Sequence, residues 1–124
     1  MSESPRSPGK TTIDPGVLVT IAQLTALQVE GVSQMSPVPG TVNRFLRRSH
    51  GQGVKIEIAD ERVHADVYVV LTPGANLREV GRNIQSEIAR AISEMVGMDV
   101  GAVNIHIEDI DYQPTGIDPD NLPN

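Results

Sequence analysis

Val54-Lys55-Ile56-Glu57-Ile58-Ala59-Asp60-Glu61-Arg62-Val63-His64-Ala65-Asp66-Val67-Tyr68-Val69-Val70-Leu71 is the stretch that decides the fold. Val54, Ile56 and Ile58 alternate with Lys55 and Glu57, and the alternation resumes at Val63, Ala65, Val67, Val69 and Leu71. A period of two belongs to strands with one buried face, so the stretch predicts a β-hairpin. A turn centred on Asp60-Glu61 sets Ile58 opposite Val63 and Ile56 opposite Ala65 on the buried side. The same turn sets Glu57 opposite His64 and Lys55 opposite Asp66 on the other side. Opposite charges favour this register, and a slip of one residue would turn every apolar side chain toward water.

On the carboxyl side, Thr72-Pro73-Gly74 ends the strand, and Asn76 with Glu79 three residues on carries the pattern of a capping box. Leu77, Val80, Ile84, Ile88, Ala91, Ile92 and Met95 then recur at helical spacing, with Gly97 as the expected left-handed cap. A third strand follows, with Val103, Ile105 and Ile107 facing in and Asn104, His106 and Glu108 facing out. On the amino side, Asp14-Pro15-Gly16 predicts a helix start and the helix runs to about Val29, with Gly31 as terminator. Leu18, Ile21, Ala22 and Val29 share a stripe on it that Val17, Leu24 and Leu27 widen, which predicts cover on more than one side. Ser33 to Gly53 contains Pro37, Pro39, Gly40 and Gly51 without a sustained period and is expected to be a long loop.

The expected fold is therefore α+β in the order α-β-β-α-β. A three-stranded, mainly antiparallel sheet has two helices packed on one face and a polar opposite face. Residues 11–112 form one domain, 1–10 are expected to be a flexible tail, and 113–124 an acidic Pro- and Asp-rich tail.

Composition narrows the function. The net charge of −6 and the scarcity of aromatics, only Phe45, Tyr68 and Tyr112, argue against general affinity for nucleic acid. The absence of cysteine excludes disulfides and thiolate metal sites and fits a reducing cytoplasm. The start, Met1-Ser2-Glu3-Ser4-Pro5, has no secretory pattern, and no segment approaches the roughly 20 apolar residues that span a bilayer.

Several pieces occur together in order: Val29-Glu30-Gly31-Val32 closing the first helix, the hairpin ending in a glycine before a helix, and Gln85 within that helix. Met95-Val96-Gly97-Met98 at its end and Val103-Asn104-Ile105-His106-Ile107 complete the set. Over roughly residues 10 to 110 the chain resembles the alkaline-shock (envelope stress response) family. The resemblance implies a cytoplasmic, non-catalytic protein of mainly Gram-positive bacteria, linked to cell-envelope stress. Such proteins self-associate and in some cases are held at the membrane by an anchored partner. The chain departs from the family where Thr72-Pro73 replaces an aromatic before the pre-helix glycine, and in its long basic loop.

Three constellations are candidates for function. The first is the basic run Arg44-Phe45-Leu46-Arg47-Arg48, the one concentration of positive charge. It is suited to an acidic or envelope-linked protein partner, with anionic lipid or RNA as other ligands of the same chemistry. Its bland reading is a solvated loop, or one drawn to Asp109, Asp111, Asp118 and Asp120. The second is the set His64, Asp66, His106, Glu57 and Glu108 on the polar sheet face. It would make a metal-binding protein or enzyme if the side chains converged, and is otherwise ordinary cross-strand pairing. The third is a KH-like RNA-binding arrangement, which lacks its Gly-x-x-Gly loop here. No catalytic residue or cofactor is expected, and self-association falls to the sheet edges or helix surfaces.

Overall fold

Hydrogen bonds at the two ends of each helix fix where the chain turns in the computed structural model, which describes residues 8–39, 50–51 and 53–112. Helix α1, Pro15–Gln28, begins where the Asp14 carboxylate accepts from the Gly16 amide at 2.8 Å. Helix α2, Leu77–Val96, begins where Asn76 Oδ1 accepts from the Glu79 amide at 3.0 Å. It ends on Gly97, whose φ of 76° is left-handed and whose amide donates to the Ser93 carbonyl.

The hairpin has the expected register. Strands β3, Val54–Ala59, and β4, Arg62–Leu71, pair antiparallel with Ile58 opposite Val63, Glu57 opposite His64 and Lys55 opposite Asp66. The turn residues Asp60 and Glu61 both take positive φ, 53° and 62°, the twist that a two-residue hairpin turn needs. Strand β5, Asp99–Ile110, runs parallel to β4 along its other edge, so β4, α2 and β5 form a crossover unit.

The expected long loop is corrected. Val32–Met35 forms strand β1, antiparallel to the far half of β4, and His50–Gly51 forms strand β2 against the start of β3. The sheet thus has five strands rather than three, while its class remains α+β and mainly antiparallel. The physical reason is a mismatch of length. β4 has 10 residues and β3 has 6, so β4 overhangs its hairpin partner and leaves unpaired backbone groups that β1 takes up. Gly53 sits at this junction with φ 80°, its carbonyl accepting from the Tyr68 amide while the Tyr68 carbonyl accepts from Ser36. A Cβ there would lie 2.8 Å from the Met35 Cβ and from the Ser36 and Tyr68 carbonyl oxygens, so only glycine fits.

Both helices cover one sheet face. Leu18, Ala22 and Ala26 of α1 and Ile84, Ile88 and Ile92 of α2 meet Val63, Ala65, Val67, Val69 and Leu71 of β4 in an aliphatic core. No polar or charged residue is buried among the described residues. Three expectations of burial fail at the margins of this core. Ile58, beside the hairpin turn at the end of β3, is exposed, and among the described residues β2 pairs only with Val54 and Lys55. Leu77 and Met95, the two ends of the α2 stripe, are also exposed. The third concerns α1: among the described residues nothing supplies its expected second cover, and Val17, Leu24 and Leu27 face outward exposed.

Candidate functional site

On the open sheet face, alternation along β4 presents His64, Asp66 and Tyr68. The parallel register of β5 brings Asn104 beside Asp66 and His106 beside Tyr68. Asp66 Oδ1 lies 3.0 Å from His106 Nε2 and accepts from Asn104 Nδ2 at 3.2 Å. The Tyr68 and His106 rings stack with centroids 4.4 Å apart and planes 12° apart. Partial burial pushes the Asp66 carboxyl up. The hydrogen bonds from His106 and Asn104, with the electrostatic pull of His106 and Lys55, outweigh it and hold the group below its ordinary value. Burial, then the negative charges of Asp66 and Glu108, push the Tyr68 hydroxyl up.

His64 takes no part in this network. Between Val63 and Ala65 the β4–β5 register shifts, so that Gly101 and Ala102 oppose the single residue His64. Such a bulge leaves an amide without its ladder partner, and His64 Nδ1 accepts from the Ala102 amide at 3.2 Å. The imidazole lies so close over Gly101 that a Cβ at that position would overlap its ring.

The two histidines therefore serve different partners. Among the described residues no three His, Asp or Glu side chains converge to hold a metal ion. Of the five residues considered together from the sequence, the structure joins Asp66 and His106. Glu57 stays in its cross-strand pair with His64, and Glu108 acts on Tyr68 through charge alone. Two of the four acidic residues considered as a counterpart to the basic run are in place. Asp109 lies within β5, and the Asp111 carboxylate accepts from the Ser33 hydroxyl at 2.7 Å. The basic run Arg44, Phe45, Leu46, Arg47 and Arg48 lies outside the described residues, as do Asp118 and Asp120.

Two features are only partly legible in the sequence. Gln85, in α2, reaches the outer edge of β5 and donates from Nε2 to the Val103 carbonyl at 2.9 Å. The second is the outer face of α1, whose signal was present in the apolar residues on every side of that helix. No helix among the described residues is long and apolar enough to cross a membrane.

The chain is similar to known proteins over most of its length. The chain is 36% identical over 106 residues to the protein YqhY of Bacillus subtilis, covering 84% of this chain and 78% of that one. It is 34% identical over 108 residues to Spy1535 of Streptococcus pyogenes serotype M6, covering 86% and 83%. With YloU of Bacillus subtilis it shares 23% over 106 residues, 82% of this chain and 88% of that one. The model of one family matches residues 3–112, and the chain belongs to that family, the alkaline-shock protein 23 family, whose function is cell envelope-related.

Proposed function

We propose that the protein is a non-enzymatic cytoplasmic scaffold that serves the cell envelope through self-association and contact with an envelope-linked protein partner. The observation that carries this reading is the use to which the open face puts its chemistry. Its carboxylate, amide, imidazoles and phenol are taken up by one another and by backbone, which stabilises a surface and leaves no base facing a nucleophile. Surface grooves of about 450 and 490 Å³ lie elsewhere, and neither is lined by a histidine or lysine. What the described residues offer to others is surface, an apolar helix face and a sheet edge, and the sequence adds the basic run.

Arg44, Arg47 and Arg48, with Phe45 and Leu46 between them, are the proposed contact for the partner. In an acidic chain they are the densest run of positive charge in the sequence, suited to attract an acidic surface. The test is co-purification from membrane and soluble fractions of native cells, comparing the natural chain with Arg44→Glu/Arg47→Glu/Arg48→Glu. One membrane-anchored protein should be retained by the natural chain and lost with the variant, which should also leave the membrane fraction. Stoichiometric metal in purified protein that disappears in His64→Ala/His106→Ala would overturn the reading. So would salt-sensitive binding to single-stranded RNA that depends on Arg47 and Arg48.

A further inference from the structure

Helix α1 contains no charged residue from Pro15 to Gln28. Its inner side, with Leu18, Ala22 and Ala26, is committed to the core. On its outer side Val17, Thr20, Leu24 and Leu27 follow one another at spacings of three, four and three, the repeat of a helix-to-helix seam. Val17 is 46%, Leu24 55% and Leu27 40% exposed, and Met95 at the end of α2 is 70% exposed. The one polar atom in the row, the Thr20 hydroxyl, already donates to the Gly16 carbonyl at 3.1 Å and needs no water. Beside this ridge runs a groove of about 490 Å³ between α1 and α2, floored by Ile21 and Ala91 and edged by Leu24 and Met95.

We infer that this surface is where two copies of the chain pack together, α1 against α1 about a two-fold axis, with the Leu24 ridge of each entering the groove of the other. The inference rests on the self-association in the proposed function and places it on the helices rather than on a sheet edge. Three observations favour a second copy as the occupant. Ridge and groove lie side by side on one surface, which makes that surface complementary to itself, as an isologous interface requires. Each copy carries a charge of −6, so two copies repel least where a whole helix is uncharged; the charged lining of the groove is confined to α2, where Glu87 pairs with Arg90 at 2.6 Å and Glu94 also acts on Arg90 by charge. A helix lying on anionic lipid needs Lys or Arg along its polar side, and α1 has none. Of the two sheet edges, β5 already has the Val103 carbonyl occupied by Gln85, and the β3 side is partly taken by β2.

The natural absence of cysteine makes single-cysteine variants clean reporters. Leu24→Cys should give a covalent dimer under mild oxidation, whereas Glu57→Cys on the open sheet face should not. In sedimentation equilibrium, Leu24→Glu and Met95→Glu should each raise the dimer dissociation constant about thirtyfold or more, as for a central apolar anchor. Circular dichroism should be unchanged, because both sites are exposed in the single chain. A natural chain that stays monomeric at hundreds of micromolar would overturn the inference and the self-association together. So would a monomer that binds neutral phosphatidylcholine vesicles through Leu24. A dimer indifferent to both Glu variants, without a Leu24→Cys cross-link, would overturn the inference alone and leave the scaffold reading standing.

Discussion

The two outer faces of this molecule meet water in opposite ways. The sheet face is polar, and its polar groups satisfy one another: Asp66 holds Asn104 and His106, His106 lies on Tyr68, and His64 closes a bulge. The outer face of α1 is apolar, and nothing in the fold described covers it. A face of the first kind is complete in a single chain, since pairing lowers the cost of leaving it open. A face of the second kind gains free energy from any cover, so it is the face on which the proposed self-association is placed. The contrast separates what holds the sheet, charge and hydrogen bonding on one side, from what the proposed self-association would use, exposed aliphatic surface on the other.

The largest expected effect comes from cutting the same amount of hydrocarbon from the two sides of the helical layer. Ile88 is fully buried, and Ile88→Ala should cost about 3 kcal/mol of unfolding free energy through lost burial and a cavity. Leu24→Ala, measured at concentrations low enough to hold the chain monomeric, should cost less than about 0.5 kcal/mol. Urea denaturation of both variants checks this. Equal losses would mean that the outer face of α1 is covered within a single chain, and the contrast would collapse.

The parts of the fold that the sequence made legible are those whose forces act over short range. The hairpin register follows from alternation between Val54 and Leu71, and α2 from its stripe and its caps at Asn76 and Gly97. β1 was not legible because Val32-Ser33-Gln34-Met35 is four residues long, without alternation, and exists only because β4 overhangs β3. The bulge at His64 was equally hidden, since His64 alternates smoothly with its neighbours and the extra residue lies in β5. For the polar face, alternation sets His64, Asp66 and His106 on one side of the sheet, yet spacing alone cannot show that a register shift separates the two imidazoles or that Asn104 and Tyr68 complete the network. The outer face of α1 carried a clear signal, an uncharged helix with apolar residues all round. Sequence alone could not tell whether cover would come from inside the fold.

A sharper test of the sheet face concerns that bulge. Gly101→Ala places a methyl group where the His64 ring lies, so the imidazole must leave and the Ala102 amide loses its acceptor. The expected loss is about 1 kcal/mol, the net worth of one exposed hydrogen bond with its local packing. In a His64→Ala background the same substitution should cost almost nothing, because the obstructing ring and the bond are already gone. A double-mutant cycle by urea denaturation reads this coupling. Additive losses would show that His64 and Gly101 do not act as a unit.

The smallest effect, and the one that tests whether the polar face stabilises through charge, is the pH dependence contributed by Asp66. Its carboxyl is held below the ordinary value of 3.8, so the folded chain favours the ionised form more than the unfolded chain does. Stability from this group is therefore fully present above about pH 4 and is lost as the pH falls through the depressed folded value. Since about a third of each side chain is exposed, 32% for Asp66 and 39% for His106, solvent screening keeps the contribution below about 1 kcal/mol. Asp66→Asn keeps the shape and removes the charge. At neutral pH the variant should be the less stable by a few tenths of a kcal/mol or more, and the two stability curves should converge below pH 3.8. A difference that persists unchanged into strong acid would mean that Asp66 acts through packing and neutral hydrogen bonds, and that the sheet face owes its completeness to shape rather than to charge.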